Sequence, residues 1–252
     1  MENPNKDYFI DIYPDHWLSS QLLRAGDKTH YRYQEISLDE LKSFPGCSIL
    51  EFGGGSGELL YRIAKKCPEI LLFGVDLGRK SLYHAQKTIS EKNSNATNFI
   101  EGDIISLPLA DNSFDRVLAS SVLWYVLEPH NAIHEMIRVL KPGGRFVFDV
   151  RNPFHITNLL SRLTLFFRRR KITHTPYYSF FSPNSISSML WEMPIKFEIT
   201  GYFVFLPTRL PILGRKWGNW ISVSQWLSYK AGNGKGQWLS QKLLITGEKY
   251  KT

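Results

Sequence analysis

Cysteine is scarce in this sequence, with only Cys47 and Cys67 among 252 residues. So low a count excludes a disulfide framework and a cysteine-based metal cluster, and it is typical of a reducing compartment. No apolar run approaches the roughly 18 residues that a membrane-spanning helix needs. The opening residues, MENPNKDYF, lack the basic start and apolar run of a secretory signal. These absences favour a cytoplasmic protein without a metal.

Basic residues outnumber acidic ones, 31 to 23, which gives a formal net charge of +8. Such an excess serves solubility, or it attracts an anionic partner such as nucleic acid, lipid head groups or an acidic substrate. The basic residues concentrate in 162–171 and 209–235. Neither stretch forms a recognisable RNA-binding module, which makes nucleic acid the less favoured partner.

Short apolar runs alternate with helical patterns over residues 48–150. The predicted strands are 48–52, 71–76, 98–102, 115–121 and 145–150, and the predicted helices are 58–66, 79–92 and 129–140. This alternation predicts an α/β fold with a doubly wound, mostly parallel sheet. Two later runs, 197–206 and 239–248, are expected to add an antiparallel pair, for seven strands in all.

A glycine turn ends the first predicted strand, in the stretch LEFGGGSG at residues 50–57. Open α/β sheets bind ligands beyond the carboxyl ends of their strands, which makes this turn a candidate site. A dinucleotide fingerprint needs glycine at its first, third and sixth positions, but the sixth position counted from Gly53 is Glu58. Glu51 would also repel a pyrophosphate. The turn therefore favours a ligand with a cationic group and argues against a dehydrogenase.

This turn resembles the first motif of class I S-adenosylmethionine-dependent methyltransferases, an acid-x-G-x-G-x-G pattern that ends here at Gly57. Their ligand carries an ammonium and a sulfonium but no phosphate. Three further features match in order: Asp76 after the second strand, Asp103 after the third, and KPGG at 141–144 before the fifth. A carboxylate at Asp76 can accept hydrogen bonds from both ribose hydroxyls. The resemblance covers about residues 48–150.

The resemblance implies a Rossmann-like methyltransferase fold and S-adenosyl-L-methionine as the cofactor. It places Glu51 near the amino group of the cofactor, Asp103 at the adenine amino group and Ile104 against the ring. The cofactor-binding residues expected from it are Glu51, Gly53, Gly55, Gly57, Asp76, Leu77, Asp103, Ile104 and Ser120.

The end of the fourth strand, SSVLWYVLEP, is where relatives of this class receive the acceptor. It lacks the (Asp/Asn)-Pro-Pro-Tyr tetrapeptide of amino-methylating relatives. The run resembles small-molecule and lipid methylating members instead, with Trp124 at a position that is often aromatic or histidine. We therefore expect methyl transfer to an O, N or C atom of a small, apolar, lipid-like or secondary-metabolite acceptor. Trp124 and Tyr125 are the candidate contacts, although core packing explains them equally well.

The aromatic-rich residues 1–45 predict an N-terminal helical lid, in which Tyr13 and Tyr31 could face the sulfonium and the acceptor. The methyltransferase domain then covers 46–252, with a cap insertion at about 153–194 and a long loop at about 207–238. Within the cap, apolar residues recur at helical spacing over 156–171 and end in four cations. This segment is either a helix that caps the domain or a basic amphipathic helix on the inner membrane surface.

Two histidines are candidate bases, and a base is needed only if the acceptor must lose a proton. His155 follows the fifth strand on the ligand side of the sheet, and His130 is the second candidate. Arg151 and Asn152 could bind an acceptor carboxylate or phosphate, or cap the next helix. Two alternatives to a small-molecule enzyme stay open: a methyltransferase acting on tRNA or rRNA, and a non-catalytic S-adenosylmethionine-binding protein.

Overall fold

A computed structural model gives the structure of residues 28–55, 57–67, 69–91, 97–155, 158–159, 179–202, 237–238 and 240–251. Its strands are β1 (Ser48–Phe52), β2 (Leu71–Asp76), β3 (Thr97–Glu101), β4 (Phe114–Ala119), β5 (Leu140–Arg151), β6 (Ile195–Tyr202) and β7 (Lys242–Lys249). Its helices are α1 (Lys28–Leu41), α2 (Glu58–Lys66), α3 (Arg79–Glu91), α4 (Pro129–Val139) and α5 (Pro183–Trp191), with a 3-10 turn at Leu123–Tyr125.

The strands form one seven-stranded sheet in the order β3-β2-β1-β4-β5-β7-β6. The first five strands are parallel, and β7 runs antiparallel to both β5 and β6. The predicted doubly wound sheet with an antiparallel strand near its end is therefore confirmed. Because β1 lies between β2 and β4, the strand order reverses at β1, and a ligand site is expected beyond its carboxyl end.

Apolar side chains cover both faces of the sheet, as buried parallel strands require. Ile49 packs with α1 and α2 on one face, while its neighbour Leu50 packs with α4 on the other. The side chains along each strand alternate between the two layers because the strand period is two residues. This packing fixes the register of β1 and therefore the place where its glycine turn emerges.

The predicted turn at KPGG, residues 141–144, lies inside β5. Leu140 pairs with Phe114, and the pairing resumes between Arg145 and Arg116, so the four residues between Leu140 and Arg145 bulge out of the ladder. Gly143 has φ of 72°, a left-handed value that suits glycine. The turn chemistry was identified correctly, but Leu140 begins a strand instead of ending the helix 129–140 as predicted.

Helix α1 packs on the face of the sheet, where Arg62 of α2 binds Glu35 and Lys66 donates to the same carboxylate at 2.6 Å. Residues 1–27 of the predicted lid lie outside the described residues, so a lid stays a prediction. Helix α5 was not predicted from the sequence. It begins after Ser182, whose hydroxyl accepts a hydrogen bond from the Ser185 amide at 3.1 Å.

Most of the segment 156–171 and of the loop 207–238 lies outside the described residues. Where the chain is described, it contains no helix long and apolar enough to cross a membrane.

Candidate functional site

Two loops meet at the carboxyl edge of the sheet, one after β1 and one after β4. A Cβ atom built on Gly53 would lie only 2.5 Å from Cγ2 of Val122, so the loops are in close contact there. Gly53 also has φ of 70°, a value that L side chains rarely adopt. The glycine therefore serves both the turn itself and its contact with the loop after β4.

The glycine turn is held by its neighbour β2. The amides of Gly53 and Gly54 both donate to the carbonyl of Val75, at 2.8 and 3.0 Å. Gly55 and Gly57 have φ of 47° and 71°, so the turn is left-handed at three alternate positions. With glycine at these three positions, no Cβ atom stands between the backbone and an approaching ligand.

Asp76, the last residue of β2, is tied to this turn. Its Oδ2 accepts from the Gly55 amide at 2.9 Å, and its Oδ1 accepts from the Gly78 amide at 2.8 Å. Each carboxylate oxygen has a second lone pair, so both can accept a further hydrogen bond. Burial raises the pKa of Asp76, and the two backbone hydrogen bonds oppose that rise. This geometry fits a ligand that presents a pair of hydroxyls.

Glu51 is buried beside Asp76, with 4% of its surface exposed. Within the described part of the chain, its Oε2 has no hydrogen-bond partner. Burial, and secondarily the charge of Asp76, hold the pKa of Glu51 well above its ordinary value. A buried acceptor without a partner costs about 1–3 kcal/mol. A cationic ligand group at this carboxylate would remove that cost.

The other predicted cofactor residues lie at the same edge of the sheet. Asp103 is half-buried after β3, and its Oδ1 accepts from the Ile105 amide at 3.3 Å. Ile104 is buried in the main core, while Leu77 is half-buried after β2. The hydroxyl of Ser120, after β4, is buried without a hydrogen-bond partner among the described residues. The set therefore fits a nucleoside with a cationic amino-acid group.

On the acceptor side, Trp124 is 3% exposed and its ring is flanked by cations. The guanidinium carbon of Arg151 and the ammonium of Lys242 each lie 4.6 Å from the ring centroid. The half-buried Tyr125 ring lies 5.8 Å from that of Trp124. The structure thus brings the predicted acceptor residues Trp124, Tyr125 and Arg151 together.

A buried ion pair behind these residues was missed by the sequence analysis. Asp149 is 1% exposed, and its Oδ2 accepts from Lys242 Nζ at 2.8 Å. Its Oδ1 accepts from the Ser121 amide at 2.6 Å, which supports Ser121 at φ of 63°. An aspartate within the apolar run FVFDV was the available signal. Its partner could not be identified, because Lys242 lies 93 residues away in the sequence.

The candidate bases lie in different environments. His155 is buried, and burial lowers the pKa of its imidazole. His130 is exposed on α4, with its ring 4.4 Å from that of His134. The side-chain Nδ2 of Asn152 donates to the carbonyls of Gln237 and Trp238, at 2.9 and 3.0 Å, which favours a structural role for Asn152 over acceptor binding. Tyr13 and the side chain of Tyr31 lie outside the described residues.

Comparison with known proteins is consistent with this geometry. Residues 50–148 match the family model described as a methyltransferase domain. A demethylmenaquinone methyltransferase of Renibacterium salmoninarum is 31% identical over 139 residues, which cover 55% of this chain and 55% of the relative. The chain thus spans about half the length of the curated relatives it matches.

Two solved structures show the same fold. The magnesium protoporphyrin IX methyltransferase of Synechocystis PCC 6803 has a TM-score of 0.64 at 15% identity, covering 97% of each chain. The geranyl diphosphate C-methyltransferase of Streptomyces coelicolor A3(2) has a TM-score of 0.62 at 17% identity, covering 88% of this chain and 80% of that one. At these identities the likeness extends to the fold alone.

Proposed function

We propose that residues 50–148, which match a methyltransferase-domain model, form a class I S-adenosylmethionine-dependent methyltransferase domain, and that the protein methylates an O, N or C atom of a small apolar or lipid-like acceptor. One observation carries this proposal: the buried carboxylate of Glu51 lies beside a glycine turn, without a hydrogen-bond partner in the described part of the chain. In its ionised form this carboxylate would repel a phosphate and attract an ammonium or sulfonium.

Each residue at the carboxyl edge then has a role toward the cofactor. Glu51 accepts from the amino group, Asp76 accepts from the ribose hydroxyls, and the glycine turn lets the backbone approach the methionine part. The remaining residues of the proposed set surround the adenosine: Leu77, Asp103, Ile104 and Ser120. When bound, the cofactor supplies a methyl group that its sulfonium has already activated.

The protein must hold the acceptor atom in line with that methyl group and keep water out. Trp124 and Tyr125 are proposed to bind the apolar body of the acceptor, with Tyr13 and Tyr31 of the N-terminal segment above it. If the acceptor must lose a proton, His155 is the proposed base. Its lowered pKa leaves the imidazole neutral at pH 7, the form that accepts a proton.

The relative named above makes a quinone-like ring with an apolar tail the first acceptor to test. Calorimetry with S-adenosylhomocysteine on the full chain tests the cofactor, and donor consumption over quinones, phenols, amines and lipids tests the acceptor. We expect Glu51→Gln to weaken cofactor binding about tenfold or more, and the half-buried Glu58→Gln to leave it unchanged.

Three results would contradict the proposal in different ways. Binding of NAD without S-adenosylhomocysteine would overturn the cofactor assignment. Tight cofactor binding without turnover on any acceptor would favour the non-catalytic alternative. Turnover on tRNA or rRNA alone would replace the small-molecule acceptor with a nucleic acid.

We also propose that the protein contacts the cytoplasmic face of a membrane through residues 156–171. The exposed Phe154 and Leu159 lie at the start of this segment, and the Phe154 ring is 5.4 Å from that of Trp238. Exposed apolar side chains that the basic run 168–171 follows in the sequence suit an anionic bilayer.

Vesicle sedimentation tests this contact. Phosphatidylglycerol vesicles should bind the protein and phosphatidylcholine vesicles should not, and Phe154→Ser should reduce the bound fraction. Trp191→Ser removes an even more exposed aromatic residue from α5 and should have no effect. Equal sedimentation with both lipids, or with both variants, would contradict the proposed contact.

A further inference from the structure

Trp124, Arg151 and Lys242 form a cluster on the acceptor side of the sheet. Arg151 ends β5 and Lys242 begins β7, and the two residues lie directly opposite each other in the antiparallel register. Two like charges at such a position repel, because cross-strand neighbours have Cβ atoms only about 5 Å apart. The Trp124 ring, 4.6 Å from each cation, partly offsets that repulsion.

Asp149 binds the cation of Lys242. Its carboxylate binds Lys242 at 2.8 Å and is itself almost fully buried. Lys242 is thereby held against the ring as part of the fold. Arg151 lies over the same ring with its planar guanidinium, which can offer two parallel N–H groups to a carboxylate or a phosphate while one face stays on the indole.

The polar atoms around this cluster favour a ligand that accepts hydrogen bonds. Trp124 Nε1 is buried and has no hydrogen-bond partner among the described residues. An indole N–H can only donate, so the group that satisfies it must carry a lone pair. The Ser120 hydroxyl, four residues earlier on the same loop, is also buried without a partner in the described structure. An oxygen anion can accept from both groups, whereas an ammonium has no lone pair and could not satisfy the indole N–H.

The backbone holds the two recognition residues in place. The Ser179 amide donates to the Trp124 carbonyl at 2.7 Å, and the Phe181 amide donates to the Arg151 carbonyl at 2.9 Å. A single short segment therefore bridges the loop after β4 and the end of β5. Fixed donors bind a ligand with less loss of conformational entropy than mobile ones.

We propose that Arg151 and Trp124 recognise an oxyanion, either a carboxylate or a phosphate, on the methyl acceptor. This inference rests on the methyltransferase function proposed above and narrows its substrate class to apolar acceptors with one anionic group. Arg151 and the indole N–H bind the anion, and the neighbouring aromatic surface binds the apolar body.

The test uses the full chain saturated with S-adenosylhomocysteine and three probes with one ring system: 2-naphthoate, 2-naphthyl phosphate and 2-naphthol. Dissociation constants come from calorimetry. We expect at least one of the two anions to bind about tenfold or more tighter than the neutral probe. The preferred anion distinguishes a carboxylate acceptor from a phosphate acceptor.

Two variants separate recognition from folding. Arg151→Gln should remove most of the preference for the anion and leave the affinity for 2-naphthol unchanged. Trp124→Phe keeps the apolar ring but lacks the N–H, so it should weaken the anion severalfold. Arg145→Gln, in the middle of the same strand, is the matched control and should change neither affinity.

Equal affinity for charged and neutral probes would overturn the proposal, as would a preference that survives Arg151→Gln. Failure of both anions to bind at about 10 mM would also overturn it. Binding of S-adenosylhomocysteine is measured first and separately. Loss of anion selectivity with intact cofactor binding therefore rejects this inference alone, whereas absent cofactor binding rejects the proposed function.

Discussion

The Asp76 carboxylate accepts a hydrogen bond from the Gly55 amide at 2.9 Å, which joins the end of β2 to the glycine turn after β1. The same carboxylate holds Gly78 through its other oxygen. Asp76 therefore shapes the site and also presents lone pairs to a ligand. A substitution of Asp76 affects both the shape of the site and the contact with the ligand. The test therefore needs a conservative substitution and a control variant that removes the same charge elsewhere.

Asp76→Asn is expected to weaken S-adenosylhomocysteine binding about tenfold or more, because an amide offers one acceptor oxygen where the carboxylate offers two charged ones. The control is Glu101→Gln, which removes one negative charge from the register partner of Asp76 in β3. Glu101 is exposed and pairs with Arg79 at the surface, so its loss should leave the affinity unchanged. Calorimetry at one ionic strength compares the two variants, and equal affinities would refute the ribose assignment.

Gly53→Ala is expected to destabilise the fold by about 2–4 kcal/mol and to abolish cofactor binding. The new Cβ requires an unfavourable positive φ and collides with Val122 at 2.5 Å. Gly46 also has a positive φ, of 79°, but nothing lies within 4 Å of its Cβ position. Gly46→Ala should therefore cost only about 1–2 kcal/mol and leave binding intact.

Thermal unfolding and calorimetry measure both effects. Adding Val122→Ala to Gly53→Ala should restore part of the lost stability, since it removes the 2.5 Å contact but leaves one of 2.8 Å with the Val122 Cβ. A Gly53→Ala variant that is no less stable than Gly46→Ala would show that the two loops do not touch as described.

The buried Glu51 predicts that cofactor binding releases a proton. The pKa of Glu51 is raised well above its ordinary value by burial first and by Asp76 second, and a cationic ligand group beside the carboxylate would lower that pKa, so the carboxyl loses its proton at a lower pH in the complex than in the ligand-free protein. Calorimetry with S-adenosylhomocysteine in buffers of different ionisation enthalpy measures this release. Glu51→Gln should remove most of it, and Glu58→Gln should not; identical proton release in both variants would contradict the role of Glu51.

The raised pKa of Glu51 also predicts how the free energy of unfolding depends on pH. Above the ordinary pKa of about 4.5, the unfolded chain loses the Glu51 proton while the folded chain keeps it, so this residue lowers the free energy of unfolding as pH rises toward its raised pKa. Glu51→Gln should make the urea unfolding free energy fall less steeply over that interval. A steeper fall in the variant would reverse the sign and reject the explanation.

Lys242→Met is expected to cost about 3 kcal/mol, because it leaves the Asp149 carboxylate buried without its cation. Adding Asp149→Asn should recover part of this loss, since the amide oxygen still accepts from Ser121 and no buried charge remains. Lys141→Met breaks a more exposed pair with Asp115 and should cost less than about 1 kcal/mol. Urea unfolding measures all three, and equal losses for Lys242→Met and Lys141→Met would contradict the buried pair.

Local sequence patterns predicted most of the parallel half of the sheet. β1 and β2 have the predicted bounds, and helix 58–66 is observed unchanged as α2. These elements are set by the periodicity of apolar residues and by glycine turns, which act over a few neighbouring positions. The position of Asp76 beside the glycine turn followed for the same reason, since the carboxyl ends of parallel strands share one edge.

Only the tertiary structure decided which distant segments of the chain contact each other. The sequence could not place β7 between β5 and β6, nor pair Asp149 with a lysine 93 residues away. It left open whether Trp124 is a core residue or an acceptor contact, and it could not show that Arg151 and Lys242 lie against the Trp124 ring. Such contacts depend on how strands align and on which side chains then share a face, and no local pattern encodes the partner. The sequence thus predicted a ligand site at the glycine turn, and the tertiary structure decided which charges lie around Trp124.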